Sequence, residues 1–244
     1  LVFGNHIGSE YAKYISGSVV PIGSFRNNHV PRVRPKVKGT LSFVSQYRDT
    51  EWIKRDGVTY TRRFAPMILP FLAGYAKEKG LQFRIILNGH TRGPSTLRNE
   101  KRYYKDILGT ECEFFKWEWH GSGYDAVDSS EVVVSNGSSL GFEAIARGTK
   151  SAIFSIKSTV LGLNPPDANY GWPGHYPDEG PFWTNNPSTS SFRRILDHLY
   201  TISDEQWRAE LEKHGFEEVM QFDPNNSKLR AILAGELGLK HASK

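Results

Sequence analysis

The sequence predicts an α/β fold, a parallel sheet flanked by helices with a helical C-terminal tail. Three observations carry this. Over residues 40–155 short apolar runs alternate with stretches of helical spacing. Each run ends in glycine or small polar residues, and beyond residue 189 only helical spacing remains. Strands that alternate with helices at such intervals pair in parallel through right-handed crossovers.

The elements follow in order. Residues 31–38 (PRVRPKVK) form an extended segment, because prolines fix φ and four cations alternate with apolar or proline residues. Residues 1–38 therefore read as a connecting segment and 39–244 as one domain. Residues 39–45 alternate as a first strand, which Gln46-Tyr47-Arg48-Asp49 breaks. Residues 64–79 have helical spacing; Pro70 implies a kink or a late start, and Gly80 follows Lys77 and Lys79 as a stop. Residues 81–87 form a second strand ending at Asn88-Gly89-His90. Residues 95–108 form a helix capped by Ser95 or Thr96 and stopped by Gly109. A third strand spans 111–117, a helical turn 124–127, and a fourth strand 131–134. A helix over 138–147 ends at Gly148, and 151–154 is a fifth strand. Residues 157–190 read as loop, and 189–200, 203–220 and 226–238 as helices.

With 38% hydrophobic and 13% aromatic residues the chain can bury a real core. No apolar run approaches the length of a membrane span, and no basic-then-apolar leader opens the chain. The expected location is the cytoplasm, with peripheral association at the inner face of the membrane left open. Cys112 stands alone, so no internal disulfide forms. Its neighbours Glu111, Glu113 and Phe114 do not lower a thiol pKa, and it reads as a buried strand residue. A formal charge of +5 favours anionic partners only weakly. The first residue is Leu1 and residues 1–30 read as mid-protein text, so the expectation is a fragment lacking an N-terminal portion.

The most informative stretch is Val132-Val133-Val134-Ser135-Asn136-Gly137-Ser138-Ser139-Leu140-Gly141-Phe142-Glu143-Ala144. An apolar strand runs into a turn of small hydroxyl residues, and a helix begins at once. The first amides of such a helix have no partner within it, and its dipole is positive there. A phosphate fits on Ser135, Ser138, Ser139 and the backbone of Asn136 and Gly137. Glu143 lies one turn inside, where its carboxylate can take ribose hydroxyl protons. The same serines would serve equally as a plain helix cap. Position favours the ligand, since open α/β sheets bind at the carboxyl ends of their strands.

Other strand ends are polar too. Ser45 and Arg48 follow the first strand, and Arg48 can pair with phosphate oxygens or with Asp49 or Glu51. His90 follows the second strand beside Arg92, as a titratable candidate or a plain loop residue. His120 follows the third and could contact base or phosphate. Asp125 and Asp128 read as solvated charges on a helical turn. The sequence holds no glycine-rich dinucleotide or Walker-type loop and no zinc-spaced cluster, so no metal site is assigned.

Residues 135–148 (SNGSSLGFEAIARG) resemble the donor-site motif of GT-B glycosyltransferases and relatives in bacterial surface-polysaccharide synthesis. Residues 23–28, 43–48, 182–184, 204–207 and 222–226 resemble segments of surface-carbohydrate biosynthesis proteins. The resemblance implies two Rossmann-like halves facing across a cleft, this chain being the C-terminal, donor-binding half. The paired serines are also similar to those of transferases that use CMP-linked acid sugars, although His90-Thr91 stands where those enzymes carry His-Pro.

The expectation from the resemblance is thus a donor-binding glycosyltransferase domain. Its partners would be a nucleotide-sugar (CMP- or UDP-linked), a glycan acceptor and a missing N-terminal acceptor domain. No nucleic acid and no cofactor beyond the nucleotide-sugar substrate are expected. Arg48 and His90 are the candidate catalytic residues. Ser45, Ser135, Asn136, Gly137, Ser138, Ser139, Glu143 and His120 are the candidate nucleotide-binding ones. Two rivals remain: a nucleotide-sugar epimerase on the same fold, and a non-enzymatic module that binds anionic glycan or RNA through its basic surface.

Overall fold

The computed structural model describes residues 1–55, 58–61, 63–88, 93–109, 112–116, 118–119, 121–162 and 168–237. Two helices, α1 (Asn5–Tyr11) and α2 (Phe25–His29), precede strand β1 (Val37–Val44). A hairpin of β2 (Trp52–Arg55) and β3 (Val58–Thr61) follows, then α3 (Leu69–Lys79), β4 (Gln82–Ile86), α4 (Pro94–Leu108) and β5 (Glu113–Phe114). Next come α5 (Ser122–Asp128), β6 (Ser130–Ser135), α6 (Ser139–Ala146), β7 (Lys150–Phe154), α7 (Lys157–Leu161) and β8 (Trp183–Thr184). Four helices close the described chain: α8 (Thr189–Thr201), α9 (Asp204–Lys213), α10 (Phe216–Val219) and α11 (Ser227–Leu237).

Six strands form one parallel sheet in the order β5-β4-β1-β6-β7-β8. The chain starts in the middle at β1, winds outward through β4 and β5, then returns to the other side of β1 as β6 and winds outward again. This is the Rossmann order, and its direction reverses between β1 and β6. Val44 and Ser135 are register partners at the carboxyl end of that pair. Open α/β sheets bind ligands in the crevice outside such a reversal.

The reasons for the elements are local. Val132, Val133 and Val134 are fully buried, as a strand covered on both faces requires, and their β-branched side chains favour the extended state. Helix α3 buries Leu69, Leu72 and Ala76 along one stripe. Pro70 sits in its first turn, which gives the late start the sequence implied, after a 3₁₀ turn at Ala65–Met67. Helix α8 lays Phe192, Ile195, Leu196 and Leu199 on the sheet, with Phe192 stacked 4.2 Å from Phe154.

Several boundaries differ from the sequence expectations. Helix α4 starts at Pro94 with Gly93 as its N-cap, not Ser95 or Thr96, because proline is already shaped for the first helical position. Among the described residues the third strand is only Glu113–Phe114. Cys112 lies half-buried just before it rather than buried within it. The stretch read as loop contains α7 and β8, and the helix read over 203–220 breaks where Gly215 turns left-handed at φ 60°.

The first 38 residues are laced to the body. Asn28 donates from Nδ2 to Asn226 Oδ1 at 3.1 Å, while its Oδ1 accepts from the Asp223 amide at 3.0 Å. A Cβ on Gly23 would lie 2.0 Å from the Gln221 carbonyl oxygen, so only glycine fits there. Arg147 and Asp128 form an ion pair whose side chains are both fully buried. The Arg147 guanidinium also donates to the carbonyls of Asn27, Val30 and Pro31. Farther along, Arg32 donates to the Arg147 carbonyl at 2.6 Å, Arg34 reaches Glu118 at 3.2 Å, and Lys36 reaches Asp204 at 2.6 Å.

Candidate functional site

Strand β6 delivers the serine turn to the reversal point. Ser135 is fully buried, and its hydroxyl accepts from the Ser138 amide at 2.9 Å, closing the turn on itself. Gly137 has φ +75°, a conformation that glycine adopts without strain. Helix α6 packs close to its own strand: a Cβ on Gly141 would fall 2.3 Å from the Ser135 Cβ. Ser138 is the N-cap yet makes no side-chain cap hydrogen bond, so its hydroxyl is not used on the helix. Ser138 is half-buried and Ser139 exposed. The plain-cap alternative therefore does not describe Ser138.

A small cleft of about 10 Å³, room for roughly one water, lies beside this turn at the ends of β1 and β6. Phe43, Phe64 and Ala65 supply apolar walls, and Tyr47, Tyr103 and Tyr104 supply aromatic ones. Gln46 reaches in from the end of β1, Asn136 from the end of β6, and Arg63 lies at the base of the hairpin. Asn136 is 7% exposed and its Oδ1 has no hydrogen-bond partner. The Tyr103 hydroxyl is also buried and unpartnered. Nearly all buried polar groups are paired, so two orphans in one cleft call for a ligand or a water. Burial pushes the Tyr103 phenol up to about 12, with Arg63 acting in the opposite direction.

Arg63 is held from behind. Its Nε and Nη2 donate to the Arg48 carbonyl at 3.4 and 3.2 Å, and Nη2 also donates to that of Asp49 at 3.2 Å. Its guanidinium lies 4.9 Å from the Tyr103 ring centre and 5.3 Å from that of Tyr47. Glu51 approaches Nη1 at 3.5 Å from the solvent side.

The sequence candidates separate into four groups. Asn136, Gly137, Ser138 and Ser139 lie together at the mouth of β6, and Asn136 lines the cleft. Ser45 and Ser135 are buried and bonded internally. The Ser45 hydroxyl donates to the buried Glu100 carboxylate and accepts from the Tyr104 hydroxyl at 2.7 Å and the Tyr47 amide at 3.1 Å. That network fixes the floor beneath the cleft. Glu143 is buried, and its Oε2 accepts from the Tyr124 hydroxyl at 3.1 Å. Arg48 is half-buried and does not line the cleft; its Nη1 donates to the Tyr47 carbonyl at 3.2 Å. His90 and His120 lie outside the described residues.

Asp125 and Asp128 are not solvated charges. Asp125 accepts from Trp119 Nε1 at 2.6 Å and pairs with Arg34, while Asp128 holds Arg147. The reason is register, because α5 turns both inward, where Asp125 and Asp128 are buried. Among the described residues no three His, Cys, Asp or Glu gather where a metal ion could be held.

Sequence reasoning missed Arg63 and Tyr103. The signal for Tyr103 was the stripe Thr96, Glu100, Tyr103, Tyr104, which recurs at helical spacing on one face of α4. Arg63 had no comparable signal, because its place against the rings of Tyr47 and Tyr103 depends on contacts between segments distant in the chain. Among the described residues no helix is long and apolar enough to cross a membrane. Residues 1–237 match a family model described as "putative O-antigen biosynthesis protein". Among curated proteins, none matches this sequence.

Proposed function

Because the chain belongs to this family, whose description points to surface-polysaccharide synthesis, we propose that it is the donor-binding domain of a glycosyltransferase and that its ligand is a nucleotide-sugar. One observation carries the proposal: at the reversal between β1 and β6, the buried side-chain carbonyl of Asn136 has no partner, and Ser138, the N-cap of α6, makes no side-chain cap bond. The phosphate sits on the Ser138 and Ser139 hydroxyls and the first amides of α6. Ser135 shapes the turn from below and does not touch the ligand. Glu143, one turn inside, faces the ribose together with Tyr124. Arg63 and Arg48 supply positive charge on the β1 side, and His90, outside the described residues, is the proposed titratable group.

The chemistry follows from charge. Transfer of the sugar leaves a nucleotide phosphate with an additional negative charge. Amides and hydroxyls already aimed at that phosphate stabilise the departing group more than the intact donor, which lowers the barrier. Titration calorimetry with nucleotides and nucleotide-sugars tests the reading. Wild type should bind at least one of them, and the double variant Ser139→Ala, Arg48→Ala should bind none. Affinity unchanged in the double variant for every ligand removes the site assignment.

A further inference from the structure

We infer that the outer face of α4 docks the protein on an anionic lipid surface, with Trp52 of the β2–β3 hairpin as its apolar contact. The inference is independent of the nucleotide reading above.

Helix periodicity argues first. Thr96, Glu100 and Tyr104 are the buried positions of α4. Arg98, Lys101, Arg102 and Lys105 recur at i, i+3, i+4 and i+7, which gathers all four on the opposite face. Arg98 and Arg102 are exposed, and Lys101 and Lys105 are half-buried. Seven residues of helical rise make this a ridge about 10 Å long. Lys101 lies 5.7 Å from the Phe114 ring centre, so the ridge runs beside the edge strand β5.

Charge argues next. Arg34, Lys36 and Arg193 are paired with Glu118, Asp204 and Glu78, whereas among the described residues no ion pair takes Arg98, Lys101 or Arg102. Glu100, the carboxylate in their midst, is turned inward and fully buried. Asp106 alone adds negative charge to the exposed residues of the helix. Cations along a ridge suit an anionic plane, and each one near such a surface strengthens binding. A soluble polyanion is held better in a groove, where cations track its backbone.

The hairpin argues last. The Thr96 hydroxyl donates to Asp49 Oδ2 at 3.1 Å, and the Arg63 guanidinium lies 4.9 Å from the Tyr103 ring centre. Both ends of the hairpin are thereby tied to α4. Trp52 and Lys54 stand two apart on β2, hence on one face, and both are exposed, Trp52 by 58%. An indole, an apolar ring with one N–H, is enriched where lipid meets water.

Flotation of the whole chain with vesicles tests the inference. Vesicles of phosphatidylcholine with about one third phosphatidylglycerol should carry the protein, and pure phosphatidylcholine should carry little. Raising salt from about 50 to about 300 mM should release it. Arg98→Gln with Arg102→Gln should lower the partition coefficient about tenfold or more, while Arg98→Lys with Arg102→Lys should leave it within about twofold. The lysine pair keeps the charge and so separates its loss from a disturbance of the helix. Trp52→Ala should lower the coefficient several-fold. Absence of flotation, equal binding to both vesicles, or a coefficient unmoved by the glutamine pair or by the tryptophan change overturns the inference. So does binding of dextran sulfate through the same arginines without flotation, which makes the partner a soluble polyanion.

Discussion

Replacing Arg147 by methionine should destabilise the protein by about 3–5 kcal/mol, the usual cost of stripping one partner from a buried ion pair. The structure puts the effect toward the upper end. Both side chains of the pair are fully buried, and Nε reaches Asp128 Oδ1 at 2.8 Å. The carbonyls of Val30 at 2.8 Å, Asn27 at 3.2 Å and Pro31 at 3.3 Å lose their donor at the same time. In a protein of this size that corresponds to a melting temperature lower by about 6–10 °C. Urea unfolding followed by circular dichroism gives the free energy, with an unchanged m-value showing that the unfolded state was not altered. Adding Asp128→Leu should recover part of the loss, because the orphaned carboxylate is then gone. A single variant within about 1 kcal/mol of wild type would refute the claim that this pair pins the N-terminal segment.

Further outcomes follow from the same geometry. Gly141→Ala should cost about 1–3 kcal/mol by denaturant unfolding, reversing the usual gain of alanine in a helix, because its Cβ would lie 2.3 Å from that of Ser135. Ser139→Asp should split stability from binding. A carboxylate in the first turn of α6 should stabilise the fold by about 0.3–1 kcal/mol while repelling phosphate, so that nucleotide affinity drops at least about tenfold by calorimetry. Stability should also fall as pH rises through 10 towards 12. Tyr103 is pushed up to about 12 by burial, and an unfolded tyrosine titrates near 10, so the unfolded chain releases its proton first. Urea midpoints from pH 8 to 11.5 should show a shallower decline in Tyr103→Phe than in wild type.

The parallel sheet was legible because its central strands declare themselves. Val132-Val133-Val134 cannot be covered on one face only, and the hydroxyl turn after it marks a helix start. Strand β8 gave no such sign. It is two residues long, and Trp183 is held by its Nε1 bond to the Pro177 carbonyl at 2.9 Å and by packing on Tyr170, contacts that no local pattern announces. The hairpin β2–β3 did carry a signal, since Asp56-Gly57 separates two runs rich in strand-forming residues. At the site, the strand-end residues were readable but their duties were not. Ser45 and Ser135 are recognisable as strand-end hydroxyls, but their bonds to Glu100 and the Ser138 amide are not written in any local pattern. Motif residues 23–28 and 222–226, far apart in the chain, meet through Asn28, Asp223 and Asn226, so that part of the recognisable sequence builds a joint.

The extended segment of alternating cations changes what the basic isoelectric point means. Arg32, Arg34 and Lys36 each reach a carbonyl or carboxylate of the body. A polyanion that engaged them would compete with the Arg147 carbonyl, Glu118 and Asp204 for the same groups. Arg34 and Lys36 are each balanced by a carboxylate, so the formal surplus of +5 is carried by other cations of the chain. Rising salt should slacken these pairs before it disturbs anything held between β1 and β6.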